Sequence, residues 1–182
     1  KTALNYIYDV ACDAVGTSKD FETKEMQHGK VNQVYGFSAF MDVFGKKNNL
    51  KCVWHDDFIV INEKCGASPD AIGHDCVIDI KCPYNIPNYI EQNETLKKSY
   101  YLQVQMQIIA HKCSLGYLVN YLTKPELYGD NVWVEYPFDI NERIFYHEIK
   151  SDESEQEKIL SRVDECYPIL LELIEKLKLA KV

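Results

Sequence analysis

Gly66-Ala67-Ser68-Pro69-Asp70 is followed, a few residues on, by Val77-Ile78-Asp79-Ile80-Lys81-Cys82-Pro83. The second segment reads as a strand. Side chains alternate along a strand, so Asp79 and Lys81 fall on one face while Ile78 and Ile80 point to the core. Asp70 comes from the end of the preceding short strand or turn, close enough to join Asp79. Two carboxylates converging there form a hard, oxygen-rich site suited to Mg²⁺ or Mn²⁺, with the main-chain carbonyl of Ile80 as a further oxygen. A lysine beside such an ion can orient and help deprotonate a water, or stabilise charge on a phosphate under attack. The same residues also allow a plainer reading, with Asp70 as a turn residue after Pro69 and Asp79 and Lys81 as a surface ion pair. Asp-x-Lys alone is too common to decide between them, so the weight falls on what flanks it.

Working outward, Leu4, Ile7 and Ala11 recur at helical spacing, which predicts a helix from about Thr2 to Val15. A second helix is expected from near Thr23 to Phe44, with Val34, Phe37, Met41 and Phe44 as its apolar stripe. Gly29 and Gly36 lie inside it, each costing about 1 kcal/mol relative to Ala. They imply close backbone approach, either to a ligand or to a packed sheet, with Gln33 between them on the same face. Cys52 to Asn62 reads as one strand or as a pair turning at Asp56-Asp57, and Pro83 to Asn93 as a loop. A helix follows from about Thr95 to Lys112, burying Leu102, Met106, Ile109 and Cys113. Tyr100, Gln103 and Gln107 share another face, either one wall of a site or a solvated surface. Leu115 to Leu122, Val132 to Phe138 and Arg143 to Ile149 read as strands. Asp152 and Glu155 form a capping pair that opens a final helix, which Pro168 should kink or break. The order gives one mixed α/β domain over residues 1–182, a central sheet flanked by helices.

At 182 residues, 46% hydrophobic and 26% charged, the composition is that of an ordinary globular protein. No apolar stretch approaches membrane-spanning length. The seven cysteines are odd in number, scattered and never spaced as CxxC. That argues against a disulfide framework or a zinc site and for a reducing compartment, the cytosol or a nucleus. The net charge of −8 does not by itself suggest nucleic acid. Acids gather in the C-terminal segment (Asp152, Glu153, Glu155, Glu157, Asp164, Glu165), leaving room for a locally basic surface elsewhere.

Three ordered blocks carry a resemblance: Gly66 to Asp70, Asp79-Ile-Lys-Cys-Pro83 and Tyr100-Tyr-Leu-Gln-Val-Gln105. Together they resemble the signature blocks of the phage lambda exonuclease and YqaJ-type viral recombinase nucleases, a branch of the PD-(D/E)XK superfamily. The likeness extends back to Gly29-x-x-x-Gln33, where the family has Gly-x-x-x-Glu on a helix. It implies a restriction-endonuclease-like core, Mg²⁺ (or Mn²⁺) dependence with two ions in the active form, and 5′-to-3′ digestion of linear duplex DNA. It also implies a single-strand-annealing recombinase as partner and a ring-shaped homotrimer. Carried over residue by residue, Asp70 and Asp79 become metal ligands, Lys81 the catalytic lysine and Gln103 the glutamine that supports the site. Ser68, Tyr100 and Gln107 become candidates for DNA contact.

The chain departs from the family at three points. Asp79 stands where the lambda relative has Glu, keeping a carboxylate on a shorter arm. Gln33 keeps the shape of the helix glutamate without its charge, and so holds a second ion less well. The family's upstream segment, whose Arg and Ser bind a terminal 5′-phosphate, would lie before Lys1, so either the start is missing or end recognition works differently. Two other readings follow: an endonuclease of the same superfamily, and a catalytically impaired protein that binds DNA ends without cutting.

Overall fold

A computed structural model describes residues 3–17, 22–55, 57–123 and 138–180. Two helices open the chain, α1 (Ala3–Ala14) and α2 (Lys24–Phe40). Thr23 caps α2, its hydroxyl accepting from Met26 N at 3.2 Å. The helical path continues through one π-type turn, Met41–Gly45. Strands β1 (Cys52–Trp54) and β2 (Ile59–Asn62) follow, then β3 (Cys65–Ala67), β4 (Ala71–Gly73) and β5 (Cys76–Lys81). The expected strand or strand pair over Cys52–Asn62 is two strands in separate sheets. Among the described residues β2 pairs with β3 alone, through a turn in which Asn62 Oδ1 accepts from the main chain of Lys64 and Cys65. β1 instead pairs with β4.

The principal sheet has the order β1-β4-β5-β6-β7, where β6 is Leu115–Tyr121 and β7 is Ile144–Lys150. β5 and β6 are parallel and all other neighbours antiparallel, so the sheet is mixed. The crossover between the parallel pair carries two helices, α3 (Ile86–Glu94) and α4 (Lys98–His111). Of these, α3 corrects the loop expected over Pro83–Asn93. Asn85 caps it by accepting from Asn88 N, and Pro87 sits in the first turn, where a missing N–H costs nothing. Residues that read as loop formers are thus a cap and a helix start. The strand expected over Val132–Phe138 lies outside the described residues except for Phe138, which is in no strand.

Two cores lie on opposite faces of the sheet. On one, Ala39 and Phe40 of α2 pack with Ala71, Ile78, Ile80, Tyr117, Val119 and Tyr121. On the other, Val104 and Ile108 of α4 pack with Val77, Leu118 and Ile149. The alternation expected of β5 therefore holds, but both faces are covered, and Asp79 is only 2% exposed. The buried side of α4 differs from the expected one. Leu102, Met106 and Ile109 are only partly buried, while Val104, Gln105, Gln107 and Ile108 are the residues turned inward. The last helix, α5 (Glu153–Leu179), is capped by Asp152 and runs through Pro168 without a break. It packs against α1 and α4.

Candidate active site

Asp70 is fixed to β5 at both ends of its residue. Its N–H donates to Ile78 O at 3.0 Å, and its Oδ2 accepts from Ile80 N at 2.6 Å. The pairing of Ala71 with Ile78 places Asp70 level with Asp79 on the neighbouring strand. From α2, Gln33 Nε2 reaches the same place, 3.3 Å from Asp70 Oδ2 and 3.2 Å from Ile80 O. Gly36, one turn further along α2, accounts for the approach. A Cβ there would lie 2.8 Å from Ile80 Cγ2 and 3.0 Å from Tyr121 Cβ, so only glycine lets α2 sit this close. Gly29 meets nothing within 4 Å and has no such role.

The α4 side completes the arrangement. Asp79 Oδ1 accepts from Gln103 Nε2 and from Gln107 Nε2, each at 2.8 Å. Lys81 Nζ lies 2.6 Å from Asp79 Oδ2 as an ion pair, donates to Gln103 Oε1 at 3.2 Å and sits 5.1 Å from the centre of the Tyr100 ring. Gln103 therefore turns its amide N–H to the carboxylate and its oxygen to the ammonium. Gln107 also donates to Ser68 O at 3.2 Å, tying Asp79 to the turn that carries Asp70. Being 1% exposed, Gln107 presents nothing to a DNA strand, contrary to expectation, and acts as a support for Asp79. Ser68 is exposed and Tyr100 half-buried, at the rim.

Burial pulls the Lys81 ammonium downward in pKa, but Asp79, with a smaller push from Asp70, outweighs it, and the net shift is upward. Cys82 is pushed up to about 12, first by burial and then by the Asp70 charge, so its thiol stays protonated and is no nucleophile. His55 was not anticipated. Its main-chain N–H donates to Asp70 O at 2.9 Å, and its ring Nε2 is buried without a hydrogen-bond partner among the described residues. Only the long-range pairing of β1 with β4 brings it there, and no local sequence signal marks it.

The donor set suits a hard cation. Asp79 Oδ2 is buried with no directed hydrogen bond, only the Lys81 charge. Asp70 Oδ2 and Ile80 O are bridged by an amide N–H, the weak counterpart of a positive ion. Among the described residues, no three His, Cys, Asp or Glu side chains form a metal-binding group, so any ion here depends on two carboxylates and a carbonyl.

A family model, the YqaJ-like viral recombinase domain, matches residues 1–114. The chain belongs to that family. Two solved structures share its fold. An alkaline exonuclease from Laribacter hongkongensis is 22% identical, with a TM-score of 0.77 over all of this chain and 87% of the other. A phage-related exonuclease from Haemophilus somnus 129PT is 19% identical, with a TM-score of 0.79 over 96% of this chain and 83% of the other. No curated protein sequence matches the chain. Among the described residues, no helix is long and apolar enough to cross a membrane.

Proposed function

We propose that this YqaJ-family chain is a divalent-metal-dependent DNA exonuclease that digests linear duplex DNA, in the 5′-to-3′ sense, during viral or mobile-element recombination. The observation that carries the reading is the buried Asp79, held by Gln103 and Gln107 and paired with Lys81, beside an Asp70 anchored to the main chain of Ile80. Asp70, Asp79 and the Ile80 carbonyl would hold Mg²⁺ or Mn²⁺, two ions in the active form. That metal would supply Lewis-acid polarisation of the scissile phosphate and a more acidic bound water. Lys81, on the same strand face as Asp79 and 2.6 Å from its Oδ2, would serve the reaction by stabilising negative charge on the phosphate oxygens. Gln103 fixes the separation of Lys81 from Asp79, and Gln107 fixes Asp79 against the Ser68 turn. Ser68, which is exposed, and Tyr100, which is half-buried, would contact the DNA strand. A single-strand-annealing recombinase partner and a ring-shaped trimer remain part of the proposal by family resemblance.

The test is digestion of 5′-phosphorylated linear duplex and of closed-circular duplex, each with Mg²⁺ and with chelator. Mg²⁺-dependent loss of the linear substrate alone is the expected result. Cleavage of the circle would instead favour an endonuclease. Gln33 gives one alternative a specific footing: DNA-end binding without cleavage in Mg²⁺ would mark an impaired nuclease.

A further inference from the structure

From α2, the Gln33 side chain is bonded to both Asp70 and the Ile80 carbonyl. We infer that its amide is a placeholder for the cation: it fills the gap between Asp70 Oδ2 and Ile80 O in the metal-free protein and has to turn when an ion binds. This inference rests on the metal-dependent reading above.

Both partners are pure acceptors, one a carboxylate and the other a carbonyl, so the amide must present Nε2 to them. With Oε1 there, three oxygens would face one another. An ion shared by those two oxygens at a Mg²⁺–oxygen distance near 2.1 Å would lie in the space the amide hydrogens fill. Nor can α2 back away as a body, because Ala39 and Phe40 pack it into the core with Ile78, Ile80 and Tyr121. The side chain must rotate, either bringing Oε1 toward the ion or swinging clear. Both hydrogen bonds are lost before the ion gains its oxygens. Gln33 therefore acts in two directions: it steadies the metal-free site, where a glutamate would crowd Asp70 with a second negative charge, and it weakens metal binding. In this protein the residue sets metal affinity through competition, beyond the mere lack of a ligand.

Calorimetric titration with Mg²⁺ and thermal unfolding in chelator, on the wild-type chain and on Gln33→Glu, separate these effects. The glutamate variant should bind Mg²⁺ at least tenfold more tightly yet unfold about 2–4 °C lower without metal, roughly the response of a chain this size to a modest loss. Equal Mg²⁺ affinity in the two proteins, or an unchanged or higher melting point for the variant in chelator, would overturn the placeholder and leave the nuclease reading standing. Absence of Mg²⁺ binding by both proteins would overturn the metal reading itself. Should the variant not fold, the wild-type chain alone decides: the Gln33 side-chain amide resonances should shift on saturation with Mg²⁺. Resonances that stay in place while Mg²⁺ binds would sink the inference.

Discussion

The two helices that flank β5 reach the same cluster of side chains by opposite means. α2 meets the sheet through an apolar surface, Ala39 and Phe40 against Ile78, Ile80 and Tyr121, and delivers to the site the single amide of Gln33. α4 meets it through an apolar pair, Val104 and Ile108, set among three glutamines with three separate tasks. Gln103 links Asp79 to Lys81, Gln107 links Asp79 to the Ser68 turn, and Gln105 links α4 to the start of α5. The difference follows from what each helix must hold. A buried carboxylate needs donors on every open side, and Asp79 faces α4. On the α2 side Asp70 Oδ2 already accepts from Ile80 N, so one amide suffices.

Lys81→Ala tests the α4 side most severely. Turnover should fall at least 100-fold, about 2.7 kcal/mol of barrier, because the lost charge acts on the phosphate in the transition state. DNA and metal binding should persist, since Asp79 keeps its two glutamine donors and the Asp70 anchors do not involve Lys81. Near-normal cleavage would reduce Lys81 to a structural ion pair.

Each helix also depends on one glycine contact. On the α4 side the glycine is in the sheet: a Cβ on Gly116 would lie 2.3 Å from Val104 Cγ1. On the α2 side it is in the helix, at Gly36. Gly116→Ala and Gly36→Ala should each destabilise by about 1–3 kcal/mol in urea unfolding, Gly116 the more. They should differ in function, because a displaced α2 carries Gln33 away from Asp70, whereas a displaced α4 loosens Asp79 and Lys81 together. Equal loss of cleavage per unit of stability lost would mean the two flanks are not distinct.

Some of this was legible in the sequence. Asp79 and Lys81 share a face because alternation along one strand is local, and the short spacing to Asp70 left it few other places to go. The buried side of α4 was not legible. Its inward glutamines look like surface residues until their partners are known, and those partners, Asp79, Lys150 O and Asp152 N, come from other elements. α3 was missed for a different reason: Asn and Pro favour loops and helix starts alike, and only the hydrogen bond from Asn88 N to Asn85 distinguishes the two.

Gln105→Leu examines the structural member of the three. Its amide donates to Lys150 O at 2.7 Å, and its oxygen accepts from Asp152 N at 3.1 Å and Gln156 Nε2 at 2.9 Å. The residue has no exposed surface, so an apolar replacement leaves the Lys150 carbonyl and the Asp152 N–H short of partners at a cost of about 1–2 kcal/mol. Lowered stability with unchanged cleavage of the folded fraction is the expected outcome. A selective loss of activity would place Gln105 in the site after all.

The smallest effect separates this buried amide link from the charged link beside it. Glu155, in the first turn of α5, accepts from Lys158 at 2.8 Å and from Lys98 of α4, and these bonds hold its carboxyl down to about 2 from a usual 4.5. A carboxyl depressed in the folded state contributes stability that is fully present above pH 4.5 and is lost as the pH falls toward 2. Asp152, the cap of the same helix, shifts in the same direction, through the Glu155 N–H and then Tyr101, and adds to the same acid limb. Glu155→Gln should therefore flatten the fall in melting temperature across that window while changing little at neutral pH, since the pair is solvent-exposed and screened. Added salt should shrink the difference between variant and wild type. Gln105→Leu should lower the whole curve by a constant amount and respond little to salt. If Glu155→Gln leaves the acid limb as steep as in the wild type, the Lys98 and Lys158 contacts hold nothing in solution, and the junction of α4 with α5 rests on Gln105 and the Tyr101–Asp152 hydrogen bond.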